Sequence, residues 1–289
     1  MAIDTPLFAA HSRHWRENRY VYPVISRRSQ GLSIGINLNP DTACNFDCVY
    51  CSVDRTQVQP AVRASVDLAV VRMELDHLIT LALSGELFAQ APFDVTPPAL
   101  RRLNDIAFSG DGEPTTYPGF AEACRLVMDI LAWHQVVPEV RVVVITNATL
   151  LSLARVQLGL DILAARGEVW AKLDAGTPEY FHTIERTEVP YERILENLLI
   201  AGRRRPLVIQ SLFARLHGVP PSPAEIEAWI GRLAALRAGG AVLARVQVYT
   251  TARVTAESWV TPLAPPEVDA IAARVADLKI PVQAFYAPA

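Results

Sequence analysis

Lysine, histidine, cysteine and long apolar runs are all scarce in this chain of 289 residues, and each scarcity excludes something. Only two lysines occur, Lys172 and Lys279, and arginine supplies the other positive charges. With a formal net charge of -3, that leaves no broad basic footprint for nucleic acid. Arg27 with Arg28, and the run Arg203 to Arg205, read as solvated surface rather than a groove that tracks phosphates. No apolar stretch reaches membrane-spanning length without interruption, so no transmembrane helix is expected. Residues 1–20, MAIDTPLFAAHSRHWRENRY, lack the apolar run of a secretory leader, and a cytoplasmic location follows as the expectation. Thiols stay reduced there. The six histidines, His11, His14, His77, His134, His182 and His217, share no metal-ligand spacing.

What is present is a globular composition of 51% hydrophobic and 20% charged residues, enough for a large core. Strand-like and helix-like patterns alternate along it. The β-rich segments are 32–39 (LSIGINLN), 105–110 (DIAFSG), 140–148 (VRVVVITNA), 168–176 (EVWAKLDAG), 207–216 (LVIQSLFARL) and 245–253 (RVQVYTTAR), with 280–287 as a further short strand or edge tail. Amphipathic helices are read at 67–85, 118–134, 152–166, 190–204, 223–238 and 265–278. Regular βα alternation implies parallel strands, outer helices and right-handed crossovers. Six units without a domain break predict a partial (β/α)6 barrel over residues 32–289, preceded by an N-terminal extension, 1–31. Ligands in such folds sit at the carboxyl ends of the strands, so the residues there become the candidates.

After the first strand comes ACNFDCVYCSVDR, residues 43–55, which gathers three of the four cysteines. Three thiols leave an odd one and stand too close for a disulfide framework. Zinc prefers four closed ligands, and no second C-x-x-C or H-x-x-x-H follows. A soft three-thiolate set suits an iron–sulfur cluster with one iron lacking a protein ligand. The fourth cysteine, Cys124, lies in a helical pattern and reads as core.

The spacing C-x-x-x-C-x-aromatic-C resembles the signature of the radical S-adenosylmethionine (SAM) superfamily. The resemblance implies a [4Fe-4S] cluster on Cys44, Cys48 and Cys51, with SAM on the open iron, and the partial-barrel fold. It also implies reductive cleavage of SAM to methionine and a 5′-deoxyadenosyl radical, which takes hydrogen from a substrate carbon. Tyr50 would then lie near adenine. The second strand ends Gly110, Asp111, Gly112, Glu113, Pro114, similar to the family's G-G-E-P segment that binds the SAM amino group, with Asp111 as a departure. Its glycines permit close backbone approach; the alternative is a plain turn.

Thr146 and Asn147 end the third strand, as cavity residues or as helix caps. In the fourth, Lys172 stands in an interior strand and needs a partner or a role. Asp174, two residues on, shares its side, so the pair is either a salt bridge or a contact to cofactor or substrate. Gln210 or Ser211 of the fifth strand reaches the cavity, the alternation leaving open which. Gln247, Tyr249, Thr251 and Arg253 belong to the sixth; Arg253 is a carboxylate clamp or a rim charge, and the role of Arg215 stays open.

The stretches YPVISRRSQGLSIGINLNPDTACNFDCVYCSVDRT, FSGDGEPTTYPGF, ITNATLL and AKLDAGTPEYFHTIERT resemble small members of the wyosine-synthase-related branch, over about residues 20–260. That branch modifies a guanine in tRNA with a second iron–sulfur cluster, for which this chain has no cysteine set. A radical SAM enzyme acting on a small molecule or peptide is therefore expected, served by a cellular reductant such as flavodoxin or ferredoxin, with no membrane or nucleic-acid partner. The alternatives are a tRNA base-modifying radical SAM enzyme and a non-catalytic iron–sulfur protein for electron transfer or redox sensing.

Overall fold

A computed structural model describes residues 6–8, 13–53, 55, 65–136 and 139–288. Its main sheet has eight strands: β1 (Val21–Ser26), β2 (Gly31–Ile36), β3 (Leu103–Phe108), β4 (Arg141–Thr146), β5 (Gly167–Lys172), β6 (Leu207–Leu212), β8 (Leu243–Tyr249) and β10 (Val282–Phe285), in that order across the sheet. From β2 to β10 every neighbouring pair is parallel. Between them run α1 (Leu68–Ser84), α2 (Phe120–Trp133), α3 (Ala154–Leu163), α4 (Pro178–Glu185), α5 (Tyr191–Arg204), α6 (Pro223–Ala238) and α7 (Pro265–Asp277). The sheet curls into a partial barrel with the helices outside, as the alternation predicted. Among the described residues no helix is long and apolar enough to cross a membrane.

Period-two alternation sorts each strand between two layers. Ile106, Val142, Val144, Val169 and Ile209 face the helices and join the main core. Ala107, Val143, Trp170 and Val208 form a separate cluster on the inner face. The buried β-branched run of β4 fits a strand covered on both faces.

Three local features depart from the sequence reading, and a fourth resolves an alternative it left open. Residues 21–26, placed there in the extension, form β1, antiparallel to β2 with Val21 opposite Ile36 and Ser26 opposite Gly31. Pro23 obscures this strand; it is tolerated because β1 is a sheet edge. The predicted strand 207–216 divides into β6 and a short β7 (Ala214–Leu216), which leaves the barrel to pair with β9 (Val260–Pro262). Helix α4, unread in the sequence, starts on Thr177, whose side chain accepts from Tyr180 N, with Pro178 in its first turn, a recognised start signal. The tail at 282–285 is a parallel strand on β8.

Candidate active site

The cysteine loop leaves β2 at the carboxyl end of the sheet and is held mainly through its backbone. Asp47 N and Val49 N donate to Glu185 O and Ile184 O at the end of α4, at 3.0 and 2.8 Å, and Ala256 N donates to Cys51 O at 2.9 Å. Phe46 packs edge-on against Phe181 of α4, centroids 5.8 Å apart. The three cysteines are free and half-buried, whereas Cys124 is fully buried in α2.

Each thiol has a different neighbour. Cys51 Sγ accepts from Val53 N at 3.4 Å and Arg55 Nη1 at 3.3 Å, and Cys48 Sγ donates to Glu185 Oε2 at 2.6 Å. Burial raises the Cys44 thiol pKa; burial, then the Glu185 charge, raises that of Cys48 well above its ordinary value. Burial lowers the Arg55 pKa, but Cys51 and Cys44 more than offset it. Among the described residues no three His, Cys, Asp or Glu side chains form a ready metal-binding group. The donor set, three free thiols in one loop beside a guanidinium, still has the chemistry an iron–sulfur cluster needs.

The glycine segment after β3 packs directly beneath that loop. A Cβ on Gly112 would lie 2.1 Å from Ala43 O, and one on Gly110 would lie 2.3 Å from Asn37 Oδ1, so only glycine allows this approach. Asp111 is ion-paired with Arg13 and accepts from Asn37 Nδ2 at 2.6 Å. Glu113 is 3% exposed. Its carboxylate accepts from Thr115 N at 3.1 Å, Thr115 Oγ1 at 2.5 Å, Thr146 Oγ1 at 2.7 Å and Asn147 N at 2.7 Å. Asn147 Nδ2 donates to Asn45 Oδ1 at 2.8 Å, inside the cysteine loop. Pro114 opens the short 3₁₀ turn at 114–116. Glu113 thereby ties the ends of β3 and β4 together.

Inside the barrel is a cavity of about 280 Å³. Of the candidates, Tyr50, Cys51, Gly110, Gly112 and Lys172 line it; Cys44, Cys48, Asp111, Glu113, Pro114, Thr146, Asn147 and Asp174 do not. Lys172 pairs with Asp174 at 3.0 Å and donates to Tyr249 Oη at 2.5 Å, between the rings of Tyr50 and Tyr249, each 4.8 Å away. The salt bridge is formed. Burial lowers the Lys172 pKa, but Asp174 and Tyr249 more than offset it, and the net shift is upward. Gln210 Cα is in register with Lys172 and with Gln247. Gln210 lines the cavity, whereas Ser211 Oγ donates to Leu173 O at 2.5 Å, which settles the inward face of β6. Arg215 lies on β7, paired with Glu267 at 2.6 Å.

Two sets of residues escaped the sequence reading. Tyr50 Oη lies 2.5 Å from Asp174 Oδ2 and 2.9 and 3.0 Å from the two Glu185 oxygens. One phenolic proton cannot serve both carboxylates. Burial, then Asp174, raises the Glu185 pKa well above the usual range, and Glu185 bridges Tyr50 and Cys48. The signal available was the Thr-Pro helix start, which puts Glu185 at the end of α4. The second set is Arg27 and Arg28: read as solvated surface, they line the cavity instead, because the β1–β2 turn folds them inward.

With this geometry in view, the fold is similar to that of solved radical SAM enzymes. The structure resembles a radical SAM methyltransferase from Sphaerobacter thermophilus with a TM-score of 0.58 and 16% identity, covering 89% of this chain and 66% of that one. Streptococcus suis SuiB bound to S-adenosylmethionine follows at 0.54 and 11%, covering 90% and 49%. TYW1 with a lysine-pyruvate adduct follows at 0.52 and 17%, covering 86% and 74%. No family model matches the chain. Among curated proteins it is 27% identical over 189 residues to GTPase Obg of Brachyspira hyodysenteriae, 64% of this chain and 23% of that protein. It is 24% identical over 182 residues to UPF0026 protein MJ1312 of Methanocaldococcus jannaschii, 61% of this chain and 47% of that one. The chain thus matches less than half the length of either curated relative. Neither lysine here precedes Ser or Thr, so the G-x-x-x-x-G-K-[ST] phosphate loop of a GTPase is not in this chain.

Proposed function

We propose that this protein is a radical SAM enzyme in which Cys44, Cys48 and Cys51 hold a [4Fe-4S] cluster at the mouth of the barrel. One observation supports the reading: the loop that carries three free cysteines packs, through Ala43, on a glycine segment at the carboxyl ends of β2 and β3, beside an inner cavity. Cys44, Cys48 and Cys51 would hold the cluster, which would supply one electron for reductive cleavage of SAM to methionine and a 5′-deoxyadenosyl radical able to take hydrogen from a substrate. The protein's contribution is to hold the target close and exclude water. Gly110 and Gly112 bring backbone near the cofactor, Tyr50 roofs the cavity, and Lys172, paired with Asp174, places a fixed positive charge in its wall. TYW1 carries a lysine-pyruvate adduct, but Lys172 is held as an ammonium by Asp174. It serves here as a charge and not as an imine-forming amine. The substrate is a small molecule or peptide, and the electron comes from an external donor of the flavodoxin or ferredoxin kind.

The test is anaerobic reconstitution with iron and sulfide, then incubation with SAM and dithionite and chromatographic assay for 5′-deoxyadenosine. Its formation, dependent on Cys48, is the expected result; a loaded cluster that never cleaves SAM overturns the assignment.

A further inference from the structure

The cavity wall carries more positive charge than the groups around it neutralise. Arg13 is paired with Asp111, and Lys172 with Asp174. Arg27, Arg28 and Arg253 also line the cavity, and among the described residues none of the three has a carboxylate within ion-pair distance. Arg27 Nη1 is buried with no hydrogen-bond partner; its Nη2 reaches only Thr250 O, at 3.5 Å. Arg28 lies over the rings of Trp170 and Tyr249, at 5.7 and 5.1 Å. Gln210 Oε1, in the same wall, is buried and unpartnered.

Burying guanidinium groups without an anion is costly, and their planar forks suit bidentate binding of carboxylate or phosphate. Burial first, then neighbouring arginines, lowers the pKa values of Arg27 and Arg253 to about 10. Both remain cations at neutral pH. The one lining carboxyl among the described residues is Asp105, whose Oδ1 accepts from Ser33 Oγ at 2.5 Å; burial raises its pKa despite this hydrogen bond and the nearby Arg28 charge, and a single carboxyl leaves the three arginines in excess. SAM brings one carboxylate, accompanied by an amino group and a sulfonium, so it cannot neutralise three arginines.

We infer that the lumen receives a substrate bearing at least one carboxylate or phosphate group, bound by Arg27 and Arg28, with Arg253 nearer the cysteine loop. This inference deepens the radical SAM reading and rests on it for the presence of SAM. Arg28 lies over the ring of Tyr249 and faces the amino-terminal opening of the lumen, while Arg27 reaches Thr250 O past the carboxyl end of β8. Trp170 also borders the amino-terminal opening, beside Arg141 and Glu168. The substrate's other end is thereby directed toward Tyr50 and Cys51.

The experiment uses reconstituted protein without reductant, and isothermal titration at constant ionic strength with phosphate, pyrophosphate, succinate and citrate, and with SAM separately. At least one anion is expected to bind saturably to the wild type. The Arg27→Gln/Arg28→Gln variant should lose tenfold or more of that affinity, while its SAM affinity changes less than threefold and its iron content stays the same. Arg28→Lys keeps the charge and should retain binding within a few-fold. Should the double variant melt early, Arg27→Gln alone is titrated and must show the same loss. No saturable anion binding to the wild type overturns the inference. So does an equal loss of SAM and anion affinity, which would assign the arginines to the SAM carboxylate. Absence of 5′-deoxyadenosine with anion binding intact would instead overturn the radical reading alone.

Discussion

Four cysteines of one chemical type occupy two environments, and that difference decides what each can do. Cys124 is sealed in α2, where burial pushes its thiol pKa far up; it acts as a small apolar side chain. Cys44, Cys48 and Cys51 share an open loop. Replacing any of these three with Ala is expected to reduce the iron of anaerobically reconstituted protein from about four per chain to near zero. Cys124→Ala should keep its iron and cost about 1 kcal/mol, seen as a melting shift of roughly 2–4 °C. Iron and sulfide assays with thermal melts check both, and a cluster that survives loss of Cys48 would refute the ligand set. Glu113 matters at this scale too, as an acceptor of four hydrogen bonds. Glu113→Ala strands buried donors at about 1–3 kcal/mol each, so a denaturant midpoint loss worth roughly 3 kcal/mol or more is expected. If stability is unchanged, the carboxylate does not tie β3 to β4.

Placement of the cysteine loop is a matter of elements, because side-chain chemistry alone does not hold it. The backbone of residues 47–49 hangs on the last carbonyls of α4, and α4 is itself anchored. Glu225, buried in α6, accepts from Gly176 N at 2.5 Å and Thr177 Oγ1 at 2.6 Å. From below, the loop rests on Gly112. In Gly112→Ala, the new methyl group meets a backbone carbonyl that cannot swing away, so the loop must lift. The expected outcome is a folded protein with at least a severalfold loss of iron and of 5′-deoxyadenosine formation, read by iron assay beside circular dichroism. Full iron loading in this variant would show that loop and glycine segment are not coupled.

Over the whole molecule, the two sheet edges approach each other through Arg27. From the β1–β2 turn it reaches Thr250 O and the ring of Phe285, 6.0 Å away, beyond β8 and on β10. This contact crosses the open side of the partial barrel. Among the described residues, Arg141 and Arg245 at the amino-terminal opening both pair with Glu168. Arg204 and Arg205 both pair with Asp161, and Arg203 donates to Gly239 O, so the run at 203–205 is largely engaged locally. Binding to tRNA is therefore expected to be weak and nonspecific, about 10⁻⁴ to 10⁻⁶ M at physiological salt. Tighter binding in a titration, lost on charge reversal at 203–205, would promote the tRNA-modifying alternative over a small anionic substrate.

Period, spacing and punctuation are local, and that is why so much of this protein is legible along the chain. The β-branched run of β4, the helix patterns, the C-x-x-x-C-x-Y-C loop and the glycines after β3 each carry their signal within a few residues, and together they predict the barrel and its mouth. Inward and outward faces were not legible. Alternation is symmetric until a sheet packs, so Gln210 and Ser211 were separated only by the burial of β6 against its neighbours. Nor were Glu185 and the arginines of the β1–β2 turn. Their roles depend on α4 packing on the cysteine loop and on the turn from edge strand β1 reaching across the sheet, which brings residues some 140 or 220 positions apart into contact. The chain alone determined which chemistry is carried at the strand ends; only tertiary structure decided which charges face inward unpaired, because pairing is a property of distance in space and not in sequence.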